Sequence, residues 1–207
     1  QILDALEELH STDPPIVHRD IKPSNLKLTP KDKILLLDFG LAKGAAGQMS
    51  TADVESHGQS IYGFTPNYAP LEQIRGRGTD PRSDLYSLGA TLWTLLTGKV
   101  PPDALSRVAE REEGNPDPLR PAHEINPQVS AALSSALNRA LAVNRNQRQA
   151  SAAELRSALR EARDVEFERS TLPMEERPAP VPSVPPAAPP LGSTMKSPGP
   201  DRVVAVR

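Results

Sequence analysis

Apolar residues recur at helical spacing along much of the chain. Within residues 1–10 they follow one another at intervals of three and four, which is the spacing of an amphipathic helix. Residues 129–143 and 152–165 show the same kind of pattern. Residues 84–97 are apolar on almost every face, so we predict here a helix that is buried on all sides. Gly98 follows it as the expected C-cap.

Two shorter apolar segments have the length and flanking residues of strands. Residues 25–28 and 34–37 surround the turn sequence at 29–32, which predicts a small β-hairpin. Residues 40–62 are rich in Gly, Ser, Thr and Ala without periodicity, and loops of this length are usually functional. The pattern as a whole predicts an α+β fold that is mainly helical, with small β-hairpins and about six helices around the 84–97 helix.

The composition changes near residue 170. Residues 173–200 contain ten prolines and no aromatic residue. Proline lacks the backbone donor of a helix interior or a sheet, so this segment is expected to be extended and disordered. We therefore predict one folded domain over 1–168 and a Pro-rich linker or tail over 169–207. The tail can serve as a spacer or as a ligand for a proline-binding module, and the sequence leaves both open.

Charge and composition narrow the classes of partner and compartment. The formal net charge is −2, which gives no reason to expect a nucleic-acid partner or an anionic membrane surface. The chain has no cysteine, which excludes disulfides and fits a reducing cytoplasm. No apolar run is long enough to span a bilayer. The first residue is Gln1 rather than Met, and we expect a further segment upstream.

Four polar side chains that suit phosphoryl transfer lie on loops at the ends of the predicted hairpin. Asp20, Lys22 and Asn25 precede its first strand, and Asp38 follows its second. A hairpin brings its two ends together, so these side chains can converge. Oxygen atoms of Asn25 and Asp38 suit Mg²⁺, and a lysine beside them can neutralise phosphate oxygens. Asp20 would then face a substrate hydroxyl.

The same residues carry a resemblance to a known family. His18-Arg19-Asp20 with Asn25 five residues later, followed by Asp38-Phe39-Gly40, resembles the catalytic and metal-binding loops of protein kinases. Details of the chain resemble the eukaryotic-like Ser/Thr kinases of bacteria. The resemblance implies the C-terminal lobe of a protein kinase fold, with ATP and Mg²⁺ as cofactors and proteins as substrates.

By this resemblance, the residues of the first segment take defined roles. Asp20 is the catalytic base, Lys22 steadies the γ-phosphate and points to Ser/Thr specificity, and Asn25 and Asp38 hold Mg²⁺. Arg19 resembles the arginine that pairs with a phosphorylated activation loop. The remaining two, which are expected to pack, are His18 and Phe39; a role of His18 as a base is the alternative.

The segment after the long loop extends the resemblance. Thr65 is similar to the threonine that bonds the catalytic aspartate and lysine. Glu72 is similar to the last residue of the kinase A-P-E motif, whose first residue is here Pro70. Asp84 resembles the buried aspartate that holds the amides of the catalytic loop, and Arg148 resembles the ion-pair partner of Glu72.

The long loop contains candidate phosphorylation sites. A phosphate on one of them could dock on Arg19 and order the segment, although hydroxyl residues are also simply common in loops. The candidates are Ser50, Thr51, Ser56 and Ser60.

Two departures from the family pattern leave alternatives open. Lys27 stands where kinases usually place an apolar residue beneath the adenine, although its methylene stem can cover that surface. The Gly-rich loop and strand lysine of the N-terminal lobe have no counterpart here, so the chain alone is expected to be inactive. The alternatives are a pseudokinase or scaffold and a small-molecule phosphotransferase. A membrane tether beyond residue 207 is a further expectation for a whole protein of this type.

Overall fold

The structure, a computed structural model, describes residues 1–38 and 64–171. Within these ranges it contains seven α-helices and one two-stranded antiparallel sheet. We label them in chain order as α1 Ile2–His10, β1 Leu26–Leu28, β2 Ile34–Leu36, α2 Leu71–Ile74, α3 Pro81–Thr97, α4 Ala104–Glu112, α5 Ala122–Ile125, α6 Ala131–Ala140 and α7 Ala152–Thr171. Short 3-10 turns cover Pro23–Asn25, Pro66–Tyr68 and Arg145–Gln147.

Helix α3 is the centre of the fold. Asp80 caps its N-terminus by accepting the amide of Arg82, and Ser83 reciprocates by accepting the amide of Asp80. The backbone of Gly98 has φ 68° and ends the helix, which confirms the predicted C-cap. The helix begins three residues before the predicted start at Asp84, because the capping signal lies outside the apolar run.

Two apolar clusters pack against opposite parts of α3. One joins α3 to α1, α6 and α7, and the other joins it to α4, α5 and α6. The first consists of Ile2, Leu6, Ile21, Leu85, Leu88, Ala140, Ala152 and Leu155. The second consists of Tyr86, Ala90, Trp93, Ala104, Ala122, Val129, Leu137 and Leu141. Burial is continuous only over residues 83–91, and Leu95 in the last turn is exposed, so the prediction of a helix buried on all sides is confirmed for this stretch and wrong for the last turn.

The hairpin carries the two loops that the sequence predicts to be functional. Strand β1 pairs with β2 in the register Leu26↔Leu36, Lys27↔Leu35 and Leu28↔Ile34. One further bond, from the amide of Leu37 to the carbonyl of Asn25 at 2.8 Å, extends the pairing to the residue before Asp38. The hairpin therefore brings the loop ending at Asn25 next to the segment that begins at Asp38.

The predicted elements are confirmed at α1, α3, α6, α7 and the hairpin, with shifts at their ends. Helix α6 begins after Ser130, which caps it by accepting the amide of Leu133, so the expected start at residue 129 is two residues too early. Helix α7 continues past residue 165. In the described ranges, no helix is both long and apolar enough to cross a bilayer. Phe39, the 40–62 loop and the tail from 172 lie outside the described residues.

Candidate active site

The side chains of Asp20, Lys22 and Asn25 meet at one carboxylate oxygen. Lys22 Nζ lies 2.9 Å from Asp20 Oδ2, and Asn25 Nδ2 donates to the same oxygen at 3.0 Å. Asn25 Nδ2 also donates to the backbone carbonyl of Asp20 at 2.7 Å. Both side-chain bonds converge on Oδ2, and neither uses the other oxygen, Oδ1.

Thr65 extends this cluster from the far side of the chain's long loop. Its Oγ1 accepts a hydrogen bond from Lys22 Nζ at 3.0 Å. Lys22 therefore lies between Thr65 and Asp20, with 15% of its side chain exposed against 11% for Asp20. Partial burial weakens the screening of the pair by water, so the lysine charge keeps Asp20 oriented.

The buried carboxylate of Asp84 holds the backbone that precedes Asp20. It accepts the amide of His18 at 2.8 Å through Oδ2 and the amide of Arg19 at 2.9 Å through Oδ1. Asp84 is fully buried, and a buried carboxylate is stable only when such bonds compensate its lost hydration. His10 Nε2 adds a third contact to Oδ2 at 2.9 Å.

The histidine of the predicted motif packs inside the loop. His18 is fully buried, and its Nε2 lies 3.1 Å from the carbonyl oxygen of Leu37. The amide of Asp20 donates to its Nδ1 at 3.3 Å. These two contacts fit a single tautomer in which Nε2 donates and Nδ1 accepts. His18 thus joins the loop that carries Asp20 to the residue directly after β2.

Two residues of the site have left-handed backbone that non-glycine residues rarely adopt. Arg19 has φ 71° and Asp38 has φ 61°. The guanidinium Nε of Arg19 donates to Thr79 Oγ1 at 2.9 Å. Strained backbone of this kind persists only where its surroundings hold it, and it concentrates at active sites.

The donor set fits a magnesium ion held by few protein ligands. Asn25 uses its amide nitrogen for Asp20, so its Oδ1 is the atom that can ligate a cation. Asp38 presents an exposed carboxylate one residue beyond the bond from Leu37 to Asn25. Mg²⁺ commonly takes one or two carboxylate ligands together with phosphate oxygens and water. Among residues 1–38 and 64–171, no cluster of three or more His, Asp or Glu side chains forms a metal cage.

An ion pair anchors the segment that carries Thr65. Arg148 contacts Glu72 through two bonds, Nη1 to Oε1 at 2.7 Å and Nη2 to Oε2 at 3.0 Å. Ser83 also donates to Glu72 Oε1 at 2.9 Å. Burial alone would raise the pKa of Glu72, but the bonds and charge of Arg148 outweigh it and hold this pKa below its usual value. The guanidinium also lies 4.8 Å from the ring centre of Tyr86.

Some predicted residues fall outside this cluster, and some of its members were not predicted. The four hydroxyl candidates Ser50, Thr51, Ser56 and Ser60, like Phe39, lie outside the described residues. Lys27 is exposed and pairs with Leu35 across the hairpin. Sequence reasoning missed Gln73 and Thr79, which contact Arg19 across 54 and 60 positions, and His10, which contacts Asp84 across 74 positions. Nothing in the sequence near these residues indicates such contacts.

Comparison with known proteins connects this geometry to a family. Residues 1–159 match the protein kinase domain. The chain is 40% identical over 166 residues to the serine/threonine-protein kinase Pkn1 of Myxococcus xanthus, which covers 78% of this chain and 23% of Pkn1. It is 35% identical over 164 residues to PknB of Mycolicibacterium smegmatis, covering 76% and 25%. The chain thus spans about a quarter of the length of these relatives.

Solved structures agree with the sequence relatives. A structure titled PpkA-294 apo form aligns with a TM-score of 0.60 and 30% identity over 76% of this chain and 50% of that one. The Mycobacterium tuberculosis PknI kinase domain aligns with a TM-score of 0.55 and 28% identity, covering 79% and 52%. The resemblance found in the sequence is confirmed, and so is the predicted fold. The chain belongs to the protein kinase domain family.

Proposed function

We propose that this chain is the C-terminal lobe of a protein serine/threonine kinase, with Asp20 as its catalytic base. The observation that carries the proposal is the arrangement of Lys22, Asn25 and Asp20 around one carboxylate oxygen, with Thr65 on the far side of the lysine. The contacts from Lys22 and Asn25 to Oδ2 fix the carboxylate of Asp20 and leave its Oδ1 for the hydroxyl of a substrate.

The proposed reaction moves a phosphoryl group from ATP to a protein hydroxyl. Asp20 Oδ1 orients the Ser or Thr hydroxyl and accepts its proton as the oxygen bonds to the γ-phosphorus, and ADP leaves. Lys22 carries a positive charge beside the transferring group. Asn25 and Asp38 would hold Mg²⁺, which neutralises charge on the phosphate oxygens when it is bound.

The hairpin supports a second part of the proposal, that another lobe covers this chain. Three apolar side chains of the hairpin are exposed to solvent: Leu28 by 66%, Leu35 by 46% and Ile34 by 40%. Leu28 and Ile34 are cross-strand partners and form one exposed apolar patch, and such patches usually mark an interface. The chain also covers only about half of the solved kinase chains it resembles. We propose that an N-terminal lobe packs here and completes the ATP pocket, and that residues 1–207 alone are inactive.

The partner class follows from the proposed reaction. The substrates are proteins that present a Ser or Thr hydroxyl, and the net charge of −2 gives no support for nucleic-acid binding.

A location in the cytoplasm, where ATP is abundant, fits the reaction. A tether to a membrane through sequence after residue 207 is compatible with this location. In this proposal the folded domain covers residues 1–168 and a Pro-rich linker follows it, with the last turn of α7, which runs to Thr171, leading into the linker.

The direct experiment is a transfer assay with the intact protein, including whatever its gene encodes before residue 1 and after residue 207. The protein is incubated with Mg²⁺, γ-labelled ATP and a protein substrate, and the labelled amino acids are separated. We expect label on serine and threonine, and none after chelation of the metal. Label confined to tyrosine, or no label at all, would contradict the proposal. Transfer by residues 1–207 alone would contradict the need for a second lobe.

A further inference from the structure

The peptide bond between Arg19 and Asp20 sets the direction in which the Asp20 side chain leaves the backbone. Arg19 has φ 71°, a conformation that costs energy for any residue with a Cβ. The peptide keeps this orientation only if both of its ends are held. The contacts at each end therefore decide whether Asp20 stays in place.

Three contacts around this peptide involve residues that the sequence already singled out. Asp84 accepts the amide of Arg19 at 2.9 Å and that of His18 at 2.8 Å. On the following residue, the amide of Asp20 donates to His18 Nδ1 at 3.3 Å. The carbonyl of Arg19 is the remaining hydrogen-bonding group of this peptide.

A fourth contact, from Gln73, holds that carbonyl. Gln73 Nε2 donates to the backbone oxygen of Arg19 at 2.8 Å, across 54 positions of sequence. This is shorter than the bond from Asp20 to His18 on the other side of the same peptide. Rotating the amide of Gln73 would set its oxygen against the carbonyl, so only one orientation bonds.

The other half of the Gln73 amide indicates that this contact is specific. Its Oε1 is buried and has no hydrogen-bond partner among the described residues. A buried unpaired acceptor destabilises a fold. An apolar side chain of similar length would avoid that cost and fill the same space. Gln73 therefore supplies a donor that an apolar residue could not supply.

Gln73 can act as a fixed support because its neighbour is anchored. It lies on the four-residue helix α2, directly after Glu72, which is bound to Arg148 by two hydrogen bonds and to Ser83 by a third. The Thr65 contact to Lys22 belongs to the same segment. One end of this segment thus reaches the side chain of Lys22, and the other reaches the backbone before Asp20.

We propose that Gln73 is a positioning residue for Asp20. It fixes the carbonyl of the Arg19–Asp20 peptide, while His18 fixes the amide of that peptide and Asp84 fixes the amides of the two peptides before it. The carboxylate of Asp20 then keeps the orientation in which Lys22 and Asn25 bind it. Gln73 does not touch substrate. The proposal rests on the kinase function proposed above, and it makes the seating of α2 a condition for an ordered catalytic loop.

The chain offers a matched control for a test of this role. Gln149 is fully buried, its Nε2 donates to the carbonyl of Ala136 at 3.0 Å, and its Oε1 is also unpaired among the described residues. It differs from Gln73 in making none of its described hydrogen bonds to the catalytic loop. Gln73→Met and Gln149→Met each replace an amide by an apolar side chain of similar length; Gln73 is half-buried and Gln149 is buried, and both carry a buried, unpaired Oε1.

The experiment combines hydrogen exchange and steady-state kinetics on the intact protein. For Gln73→Met we expect faster exchange of amides in residues 18–25 and a fall in kcat of about 10- to 100-fold, because small displacements of a catalytic group have effects of this size. KM for ATP and for the protein substrate should stay within about twofold, since the proposed role of Gln73 is confined to the backbone before Asp20. Gln149→Met should leave both kcat and the exchange of residues 18–25 at wild-type values.

A structural role alone would give a different result. If Gln73→Met and Gln149→Met lower melting temperature and kcat alike, or if exchange in residues 18–25 is unchanged, the positioning role is wrong. Should Gln73→Met fail to fold, Gln73→Asn, which keeps the amide but shortens its reach, must give the same faster exchange. If the wild-type protein transfers no phosphate, the proposed kinase function fails, and exchange alone then decides whether Gln73 orders this loop.

Discussion

Asp84 is a buried carboxylate whose bonds all lead to residues near the active site. It accepts two backbone amides and contacts His10, and it is fully buried. Each of its oxygens is therefore required as an acceptor. In Asp84→Asn the side-chain NH₂ group would face a backbone N–H donor. The backbone amide of either His18 or Arg19 would then lose its acceptor.

We predict that Asp84→Asn destabilises the protein by about 1–3 kcal/mol, the usual cost of a buried unpaired donor. Urea unfolding of the intact protein measures this. Asp80→Asn is the matched control, because Asp80 caps the same helix and asparagine caps helices about as well as aspartate. The control should change the free energy of unfolding by less than about 0.5 kcal/mol. Equal effects of the two substitutions would contradict the role given to Asp84.

Residues of the site could be predicted where a local pattern marks them. A segment of six positions contains Asp20, Lys22 and Asn25, and the short hairpin brings Asp38 close to them. Gln73 and His10 could not be found in this way. Their contacts span 54 and 74 positions, and they depend on how α2 and α1 pack rather than on any nearby residue.

Helix α2 has only four residues, so its position depends on what it is attached to. Its main attachment is the pair of bonds between Glu72 and Arg148, supported by Ser83. The arginine side chain is fully buried, and that of Glu72 is 8% exposed. Removing one partner from a buried pair leaves an uncompensated charge.

We predict that Arg148→Met costs about 3–5 kcal/mol of unfolding free energy at pH 7. In the wild type the pKa of Glu72 is lowered, so the stability it contributes is full above pH 4.5, its ordinary value, and is lost as pH falls through the native pKa. In the variant Glu72 has no ion-pair partner, and its protonation removes the free-energy cost of burying its negative charge. The difference between the two proteins should therefore shrink as pH falls below 4.5.

Urea unfolding at pH 7 and at pH 4 measures this difference. Arg145→Met is the control, because that arginine is 44% exposed and lies 3.5 Å from Asp80. Exposed ion pairs contribute at most about 1 kcal/mol. A difference between wild type and Arg148→Met that does not depend on pH would contradict the assignment of the buried pair.

Elements with a continuous apolar pattern could be predicted, and those with a polar buried face could not. Helix α3 follows directly from its apolar residues. Helix α4 was missed because one of its two buried residues is Arg107, which binds Asp117 at 2.9 and 2.7 Å and donates to the carbonyl of Leu141. A hydrophobic pattern counts such a residue as exposed. Helix α5 has four residues, fewer than the pattern can detect.

At the scale of the whole molecule, we expect the apolar side chains of the hairpin to be exposed in residues 1–207 alone and buried in the intact protein. Leu28 and Ile34, which are cross-strand partners, are exposed here, and we propose that an N-terminal lobe covers them. The chain alone should therefore be marginally stable and prone to associate. A cooperative melt with a high midpoint for residues 1–170 alone would contradict this.

We predict that replacing Leu28 and Ile34, which face each other across the hairpin, together by threonine has different effects in the two forms. In residues 1–207 it should reduce self-association, measured by light scattering, because less apolar surface is exposed. In the intact protein it should lower the melting temperature, because the same surface is buried there. Leu105→Thr, at a 47% exposed position on α4, is the control and should change neither. An intact double variant whose melting temperature equals or exceeds that of the wild type would exclude a covering lobe at the hairpin.

The proposed kinase function depends on one carboxylate, Asp20, and its removal gives the clearest result. The intact protein is assayed for kcat of phosphoryl transfer as wild type, as Asp20→Asn and as Asp32→Asn, an exposed aspartate in the hairpin turn with φ 55° where asparagine is well tolerated. Loss of a catalytic base typically lowers the rate by about 10²- to 10⁴-fold. We predict a loss of this size for Asp20→Asn, with a kcat for Asp32→Asn within about twofold of wild type. A folded Asp20→Asn protein that keeps the wild-type kcat would contradict the assignment of this site.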